Sequence, residues 1–399
     1  MPGTLTRIVE FGLLLLLAFA PLAFGGNRYY AVYVLRVVPV VLLAVAWIAF
    51  LRTPPPPSLR TRKETPFPLR AMAPFAGYAV VLALQLAPLP LAVLRVFSAT
   101  RAEIALPVPG APSWGTLSFV PHATLEALLN WLACLAVIGA AYWAIDSRAA
   151  ARRFGWVLGL SGVFQALYGA FEFLSGRQAI FGYRKIHYLD CATGTFINRN
   201  HYAAYLALCL GVLWGFVRYD LGRRDDAANA SRRRERAALL FVFGVAIAVG
   251  IVLSGSRGGM LALVLSLAFT QAAFPLARKR WQAPAATLVF AACVAASVWW
   301  IGRAPLAERA GAIADDLVTA NHRTSAWTGA LRMVREAPLL GGGAGTYRWR
   351  YPMVRDARGM DFDHAHGDYL ELAADAGVIG LAAFVAGLAL LLRFIVARR

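Results

Sequence analysis

The chain has 399 residues, of which 59% are hydrophobic and only 15% are charged, and its mean hydropathy is +0.58. This composition excludes an ordinary soluble domain, in which about a quarter of the residues are charged. The formal net charge is +19, but the basic residues cluster in alternate loops between apolar segments. That distribution indicates membrane orientation and argues against nucleic acid as a partner.

Apolar segments long enough to cross about 30 Å of hydrocarbon recur along the chain. We predict ten, with one or two more short helices hidden in 92–121 or in the last span: 8–24, 29–51, 71–91, 126–145, 154–174, 200–217, 238–253, 257–276, 284–301 and 368–396. The predicted fold class is an all-α polytopic integral membrane protein with about 10–12 transmembrane helices. We expect one functional unit made of a membrane helical bundle, a long and partly helical outer segment, and a final transmembrane helix, over residues 1–301, 302–367 and 368–399 respectively.

The basic residues predict the orientation of these segments. They gather at both termini and in the loops 52–70, 148–153, 218–236 and 278–280, which share one side if the segments alternate. The positive-inside rule makes that side cytoplasmic and predicts membrane lipids as neighbours. All six histidines lie on or at the edge of the opposite side, which is therefore expected to carry the chemistry: His122, His187, His201, His322, His364 and His366.

Two acidic residues and four cysteines lie mostly within apolar spans. Glu10 and Glu172 are near the predicted ends of their spans, and we interpret both as structural. Three of the four cysteines fall inside predicted spans, namely Cys134, Cys209 and Cys293, and the fourth is Cys191. We therefore expect neither a disulfide framework nor a C-x-x-C metal site.

Four polar motifs interrupt the apolar pattern in the second half of the chain. G-T-F-I-N-R-N-H-Y-A-A-Y-L-A-L (194–208) opens the sixth span, and S-G-S-R-G-G-M-L-A-L (254–263) opens the eighth. Residues 322–347 contain an amphipathic stretch that predicts a short helix, closed by a proline and a glycine-rich run. Residues 362–381 place two histidines and four carboxylates around the start of the last span.

Helix polarity predicts an anion site on the outer side. With the N-terminus inside, even-numbered spans begin at the outer surface, where helix dipoles are positive and backbone N–H groups lack partners. Arg199, Arg257 and His366 lie at the starts of spans six, eight and ten. A diphosphate on a lipid tail is a natural anion at that depth. Arg184 and Lys185 in the preceding outer loop would add to this site.

The same residues have simpler interpretations that the sequence leaves open. At a helix end, Arg199 or Arg257 would also be able to extend its side chain to lipid headgroups without binding a substrate. His364 and His366 have a spacing found in metal sites, and Asp361 or Asp363 would supply oxygen ligands. Because no third histidine or cysteine lies at a ligand-like spacing nearby, we expect no metal.

The four motifs together resemble recurring blocks of the O-antigen ligase and polymerase superfamily, in the family's order and at plausible separations. The family's C-terminal signature is an H-x-H-N or H-N pair followed by Y-L-Q and a G-x-x-G-L helix. Here Gly367 stands where the family usually has Asn, and Glu371 where it often has Gln. The resemblance covers much of residues 194–381, whereas the N-terminal half agrees only in hydropathy.

The resemblance implies a C-type glycosyltransferase-like enzyme, an O-antigen ligase, in the bacterial inner membrane with its active site facing the periplasm. Its donor would be a glycan on undecaprenyl pyrophosphate, and its acceptor a sugar hydroxyl of the lipid A–core oligosaccharide. Transfer would invert the anomeric centre and need no metal or other cofactor. The outer segment 302–367 would then be periplasmic.

Roles for individual residues follow from the resemblance and from the chemistry. His366 would act as the general base that activates the acceptor hydroxyl. The pyrophosphate would be bound by Arg199, Arg257 and Arg184. Further supporting residues would be His364, Asp368, Arg323 and His201. Either Asp363 or Asp368 would orient the base.

Two kinds of alternative function remain at the sequence level. An O-antigen or exopolysaccharide polymerase and a protein O-oligosaccharyltransferase belong to the same superfamily and differ in the acceptor. A transporter of lipid-linked sugar is an alternative that is not an enzyme. A transporter favours charges along a path at the bilayer midplane, whereas the charges here cluster at one face.

Overall fold

The computed structural model describes residues 3–52, 69–105, 113–222, 227–273, 282–301, 313–355 and 361–396. Within these residues the chain is mostly helical. The helices, numbered in chain order, are α1 (Thr4–Leu22), α2 (Tyr29–Arg52), α3 (Leu69–Leu86), α4 (Leu91–Phe97), α5 (Ala99–Ala105), α6 (Pro121–Ala144), α7 (Arg148–Leu174), α8 (Arg199–Gly222), α9 (Ala227–Leu253), α10 (Arg257–Ala273), α11 (Gln282–Ile301), α12 (Ile313–Glu336), α13 (Tyr347–Val354) and α14 (Asp368–Val396).

In the described ranges, four two-residue strands form two small antiparallel ladders. β1 (Leu89–Pro90) pairs with β2 (Trp114–Gly115), and β3 (Ala179–Ile180) pairs with β4 (Tyr183–Arg184). The β3–β4 hairpin lies in the segment between α7 and α8.

The ten predicted spans coincide with ten of these helices, and the fold class is confirmed. Eight helices in the described part of the chain are long and apolar enough to cross a membrane. The chain is therefore a multi-pass membrane protein. The short helices α4 and α5 occupy the segment in which extra helices were expected. α12 begins at Ile313 and is longer than the short helix predicted within residues 322–347.

The chain divides into two compact units. Unit 1 comprises Met1–Ala49 and Gly139–Ala310, and unit 2 comprises Phe50–Ile138 and Gly311–Arg399. This division follows contacts in space. The three-part organisation of residues 1–301, 302–367 and 368–399 stays a prediction.

The core of unit 1 lies where α7, α8 and α9 pack together. α8 contributes the largest share, including the fully buried Tyr202, Leu206 and Leu210. Glycines on α7 allow the close approach, because a Cβ at Gly159 or Gly162 would lie within 2.5 Å of an α8 side chain. A second cluster in the same unit joins α1, α2 and the end of α6.

In unit 2, α14 packs along α3 and also contacts α12 and α13. α14 is not one regular helix, because Gly377 has φ 67° and ψ −176°. Two half-helices therefore meet at residue 377. Broken helices at membrane depth occur where the irregular backbone is buried in protein or lines a cavity.

Candidate functional site

The start of α14 joins one of the two motif histidines to a carboxylate. Nδ1 of His364 lies 2.8 Å from Oε1 of Glu371, and the backbone N–H of Ala365 donates to Oε2 of the same carboxylate at 2.8 Å. Glu371 belongs to the first turn of α14, where an acidic side chain also complements the helix dipole. The hydrogen bond to Glu371 favours the charged imidazole and raises the pKa of His364 above its ordinary value.

His366 lies at the exposed end of an aromatic row. Its backbone adopts a left-handed conformation with φ 52°. Its ring meets Phe362 edge to face at 5.9 Å, and Phe362 meets Tyr351 edge to face at 5.4 Å. Tyr351 stacks on Tyr347, and both tyrosines are buried. The row supports the imidazole from the protein side while the residue stays exposed.

The expected carboxylate partners of the histidines take other positions. Asp363 lies 3.9 Å from Arg348, and both side chains are largely exposed. Asp368 is exposed at the first residue of α14. Glu371 pairs with His364, a role for which the sequence did not single it out, and the orientation of His366 by Asp363 or Asp368 stays a prediction.

A glycine-rich segment packs against the break in α14. Backbone N–H groups of Val378 and Ile379 donate to the carbonyls of Pro338 and Leu339, and Gly343 donates to the carbonyl of Asp375. The helix therefore exchanges some of its own hydrogen bonds for bonds to the segment that follows α12. This arrangement satisfies backbone groups that a break leaves without partners.

Side chains reinforce the same contact. The carboxylate of Asp375 is buried and accepts from the backbone N–H of Gly345 at 2.7 Å. Gln85 on α3 is fully buried, accepts from the backbone N–H of Ala344 at 3.0 Å and donates to the carbonyl of Asp375 at 2.8 Å. The break is thus held from two sides within unit 2.

A buried arginine that sequence reasoning missed completes this region. Arg350 on α13 is only 1% exposed, and its guanidinium donates to the carbonyls of Ala374 and Met333 at 2.9 and 3.1 Å. Glu336 lies 3.4 Å from it, and the ring of Phe119 lies 4.8 Å away. Burial lowers the pKa of Arg350. In the sequence it is one of three basic residues in nine, with no pattern that distinguishes it.

Unit 1 brings the two predicted anion-binding helix starts together. Oγ of Ser256 donates to Oδ1 of Asn200 at 2.8 Å, which links the turn before α10 to the first turn of α8. Oγ of Ser256 also caps α10 by accepting from the backbone N–H of Gly259. A Cβ at Gly259 would lie 2.5 Å from the Cβ of Ala203, so glycine permits this close contact.

The two arginines at these helix starts differ in exposure. Arg199 is half-buried, its guanidinium lies 5.4 Å from the ring of Tyr188, and its Nε is buried with no hydrogen-bond partner among the described residues. Arg257 is exposed at the first residue of α10. Two adjacent helix N-termini that both carry arginine form a favourable environment for an anion.

The preceding outer loop contributes one exposed basic residue and one buried one. Arg184 lies exposed on β4. Lys185 is buried, and its Nζ lies 2.8 Å from Oε1 of Glu172 and 3.0 Å from the carbonyl of Cys191. The charge of Lys185 is therefore neutralised inside unit 1. Glu172 pairs within the fold, and so does Glu10, whose Oε1 contacts Arg153.

A pocket of about 270 Å³ lies beside this hairpin, also in unit 1. It is lined by Tyr168, Phe171, Glu172, Arg177, Ala179 and Gly182. The remaining predicted residues are less informative. His201 is exposed on α8. Arg323 and His322 belong to α12, but their side chains lie outside the described residues. No group of three potential metal ligands occurs in the part of the chain that the structure describes.

The family model described as O-antigen ligase matches residues 239–385. These residues are similar to O-antigen ligases over somewhat more than a third of the chain. The matched residues include the S-G-S-R-G-G turn, α12, α13 and the start of α14 with its two histidines. The family consists of glycosyltransferase-like ligases and polymerases, which makes an enzyme the coarse functional assignment.

No match was found among curated proteins or among solved structures. The similarity to O-antigen ligases therefore rests on the match over residues 239–385.

Proposed function

We propose that this protein is an O-antigen ligase that transfers a glycan from undecaprenyl pyrophosphate to a sugar hydroxyl of lipid A–core. The reaction takes place on the periplasmic side of the bacterial inner membrane. The observation that carries the proposal is that the residues similar to O-antigen ligases include an exposed histidine pair directly before the last helix, α14. A helix that only anchors a protein in the membrane does not need titratable groups at its end.

In the proposed reaction, His366 removes the proton from the acceptor hydroxyl. The oxygen attacks the anomeric carbon of the donor sugar from the face opposite the leaving group. The bond from that carbon to the pyrophosphate oxygen breaks, and undecaprenyl pyrophosphate departs with the electron pair. The anomeric centre inverts. A sugar hydroxyl has a pKa far above 7, so a positioned base contributes roughly 10²–10⁴-fold in rate.

The arginines of unit 1 are assigned to the pyrophosphate. Arg199 and Arg257 stand at two linked helix N-termini, and Arg184 is exposed on the neighbouring hairpin. Planar guanidinium groups bind phosphate oxygens in pairs and stabilise the charge that the leaving group gains. The buried Nε of Arg199, which has no hydrogen-bond partner among the described residues, is consistent with a ligand-binding role.

Deletion of the gene tests the acceptor class directly. A ligase predicts loss of all long chains from lipopolysaccharide and accumulation of the lipid-linked polymer. A polymerase predicts instead a band that carries a single repeat unit. An unchanged lipopolysaccharide together with unglycosylated target proteins would favour a protein O-oligosaccharyltransferase and contradict the proposal.

A further inference from the structure

One carboxylate binds two successive residues immediately before His366. Oε1 of Glu371 contacts the ring of His364, and Oε2 accepts from the backbone N–H of Ala365, each at 2.8 Å. Glu371 itself is fixed, because its own N–H donates to the carbonyl of Gly367 at 2.9 Å in the first turn of α14. The residue between these anchored points is His366, whose φ is 52°.

The conformation of His366 needs such support. A left-handed backbone is uncommon for residues other than glycine and costs free energy that surrounding contacts must offset. Ala365 is fully buried, so its N–H needs a partner inside the protein, and the carboxylate of Glu371 supplies it. Phe362 then limits the ring of His366 from one side.

This contact differs from an ordinary surface pair between histidine and glutamate. His122 and Glu126 lie four residues apart on α6 at 3.4 Å, and their side chains are 81% and 49% exposed. The side chain of Glu371 is 22% exposed and joins a helix to the segment that precedes it. The exposed pair therefore provides a matched control within the same unit.

We propose that Glu371 is a positioning residue for His366: it holds residues 364 and 365 directly before His366 and thereby aims the imidazole at the acceptor hydroxyl. This inference rests on the proposed function for the role of His366, although the geometry it describes is independent of the substrate. Glu371 touches neither donor nor acceptor in this account. It acts through the backbone of residues 364–366.

Purified full-length protein in nanodiscs, assayed with lipid-linked glycan and lipid A–core, tests the inference. Glu371→Ala should lower kcat about 10²-fold, since a displacement of about 1 Å of a reacting group has effects of that size. The KM for the donor should stay unchanged. Glu371→Gln should restore most of kcat, because an amide oxygen still accepts from the N–H of Ala365. Glu126→Ala should behave as the wild type.

Equal kcat values for Glu371→Ala and Glu126→Ala would overturn the inference. The inference would also be overturned if Glu371→Ala lost activity only in proportion to the loss of folded protein. A rise in KM with kcat unchanged in this variant would overturn it as well.

A second measurement separates this inference from the proposed function. The rate at which diethyl pyrocarbonate modifies each histidine, followed by mass spectrometry, needs no turnover. Glu371→Ala should change the rate at His366 and leave the rate at His122 unchanged. An unchanged rate at His366 contradicts the positioning role even if the enzyme is active. If the wild type transfers no glycan but Glu371→Ala still changes the rate at His366, the proposed function alone is contradicted.

Discussion

At the scale of single residues, the partner of the histidine motif depended on helix geometry that sequence spacing does not reveal. Asp363 and Asp368 are the nearest carboxylates in sequence, yet Glu371 forms the pair with His364. Its position on the first turn of α14 brings it back over the residues that precede the helix, because side chains lean toward the helix N-terminus. The exact start of a helix decides this contact, and sequence patterns locate helix ends poorly.

The pair between His364 and Glu371 makes a pH-dependent contribution to stability. Because its folded pKa is raised, the pair stabilises the fold fully below the ordinary histidine pKa of about 6.5. That contribution is lost as pH rises through the raised pKa of His364. In Glu371→Gln the titration of His364 should move to lower pH, since the negative charge is gone.

Carbon-13 NMR of ring-labelled histidines, assigned by single substitutions, measures this titration. His122→Gln serves to remove the other histidine that contacts a glutamate. A titration of His364 that is the same in the wild type and in Glu371→Gln would show that the hydrogen bond between these two side chains is not formed in solution.

At the scale of elements, the sequence predicted the helices but not the break in the last one. Hydropathy placed ten helices because each must satisfy its backbone hydrogen bonds inside the membrane. Gly377 lies in a G-x-x-G pattern that an unbroken helix also tolerates. Only the packing of residues 338–343 beside Gly377 distinguishes a broken helix from an unbroken one. Burial of Arg350 likewise depends on carbonyls that become available at this contact.

We predict that Gly377→Ala destabilises unit 2. A Cβ at this position would lie 2.2 Å from the carbonyl oxygen of Leu339, and its φ of 67° is strained for alanine. Strain of this kind alone costs about 1–3 kcal/mol. The matched control is Gly77→Ala on α3, where a Cβ meets nothing within 4 Å. That change should be neutral or stabilise by about 0.5–1 kcal/mol.

Thermal unfolding of both variants in the same detergent, with intrinsic fluorescence as the readout, provides the comparison. Equal Tm values for the two variants would mean that α14 does not adopt the broken conformation at residue 377.

At the scale of the whole molecule, fold class and family domain were predictable, whereas the division into two units was not. Composition and hydropathy determine that the chain is a helical membrane protein, and three of the four motif blocks lie in residues 239–385, which match the O-antigen ligase model, whereas the block 194–208 lies outside them. The two units each combine segments that are distant in sequence. Such pairings arise from side-chain packing between helices, which a single sequence does not encode in a readable pattern.

Orientation in the membrane gives a prediction at this scale. Basic residues predict that 218–236 is cytoplasmic and 302–367 periplasmic. An impermeant thiol reagent applied to intact cells should label Gly311→Cys and not Asp226→Cys; both positions lie outside the described residues. Both substitutions should be made in a protein that lacks Cys134 and Cys293, because these two cysteines are not buried and would react with the reagent. Cys191 and Cys209 are buried and can remain. Labelling of Asp226→Cys without Gly311→Cys would reverse the orientation.

The most direct test of the central claim is transfer of glycan by the purified protein from undecaprenyl pyrophosphate to lipid A–core, with His366→Asn beside the wild type. The wild type should transfer glycan, also in the presence of EDTA. The variant should still bind the donor but lose roughly 10²–10⁴-fold in rate, because asparagine can cap a helix but cannot act as the base. A His366→Asn variant that transfers glycan at the wild-type rate would contradict the assigned role of His366. A wild type that transfers none under conditions where it binds the donor would contradict the ligase itself.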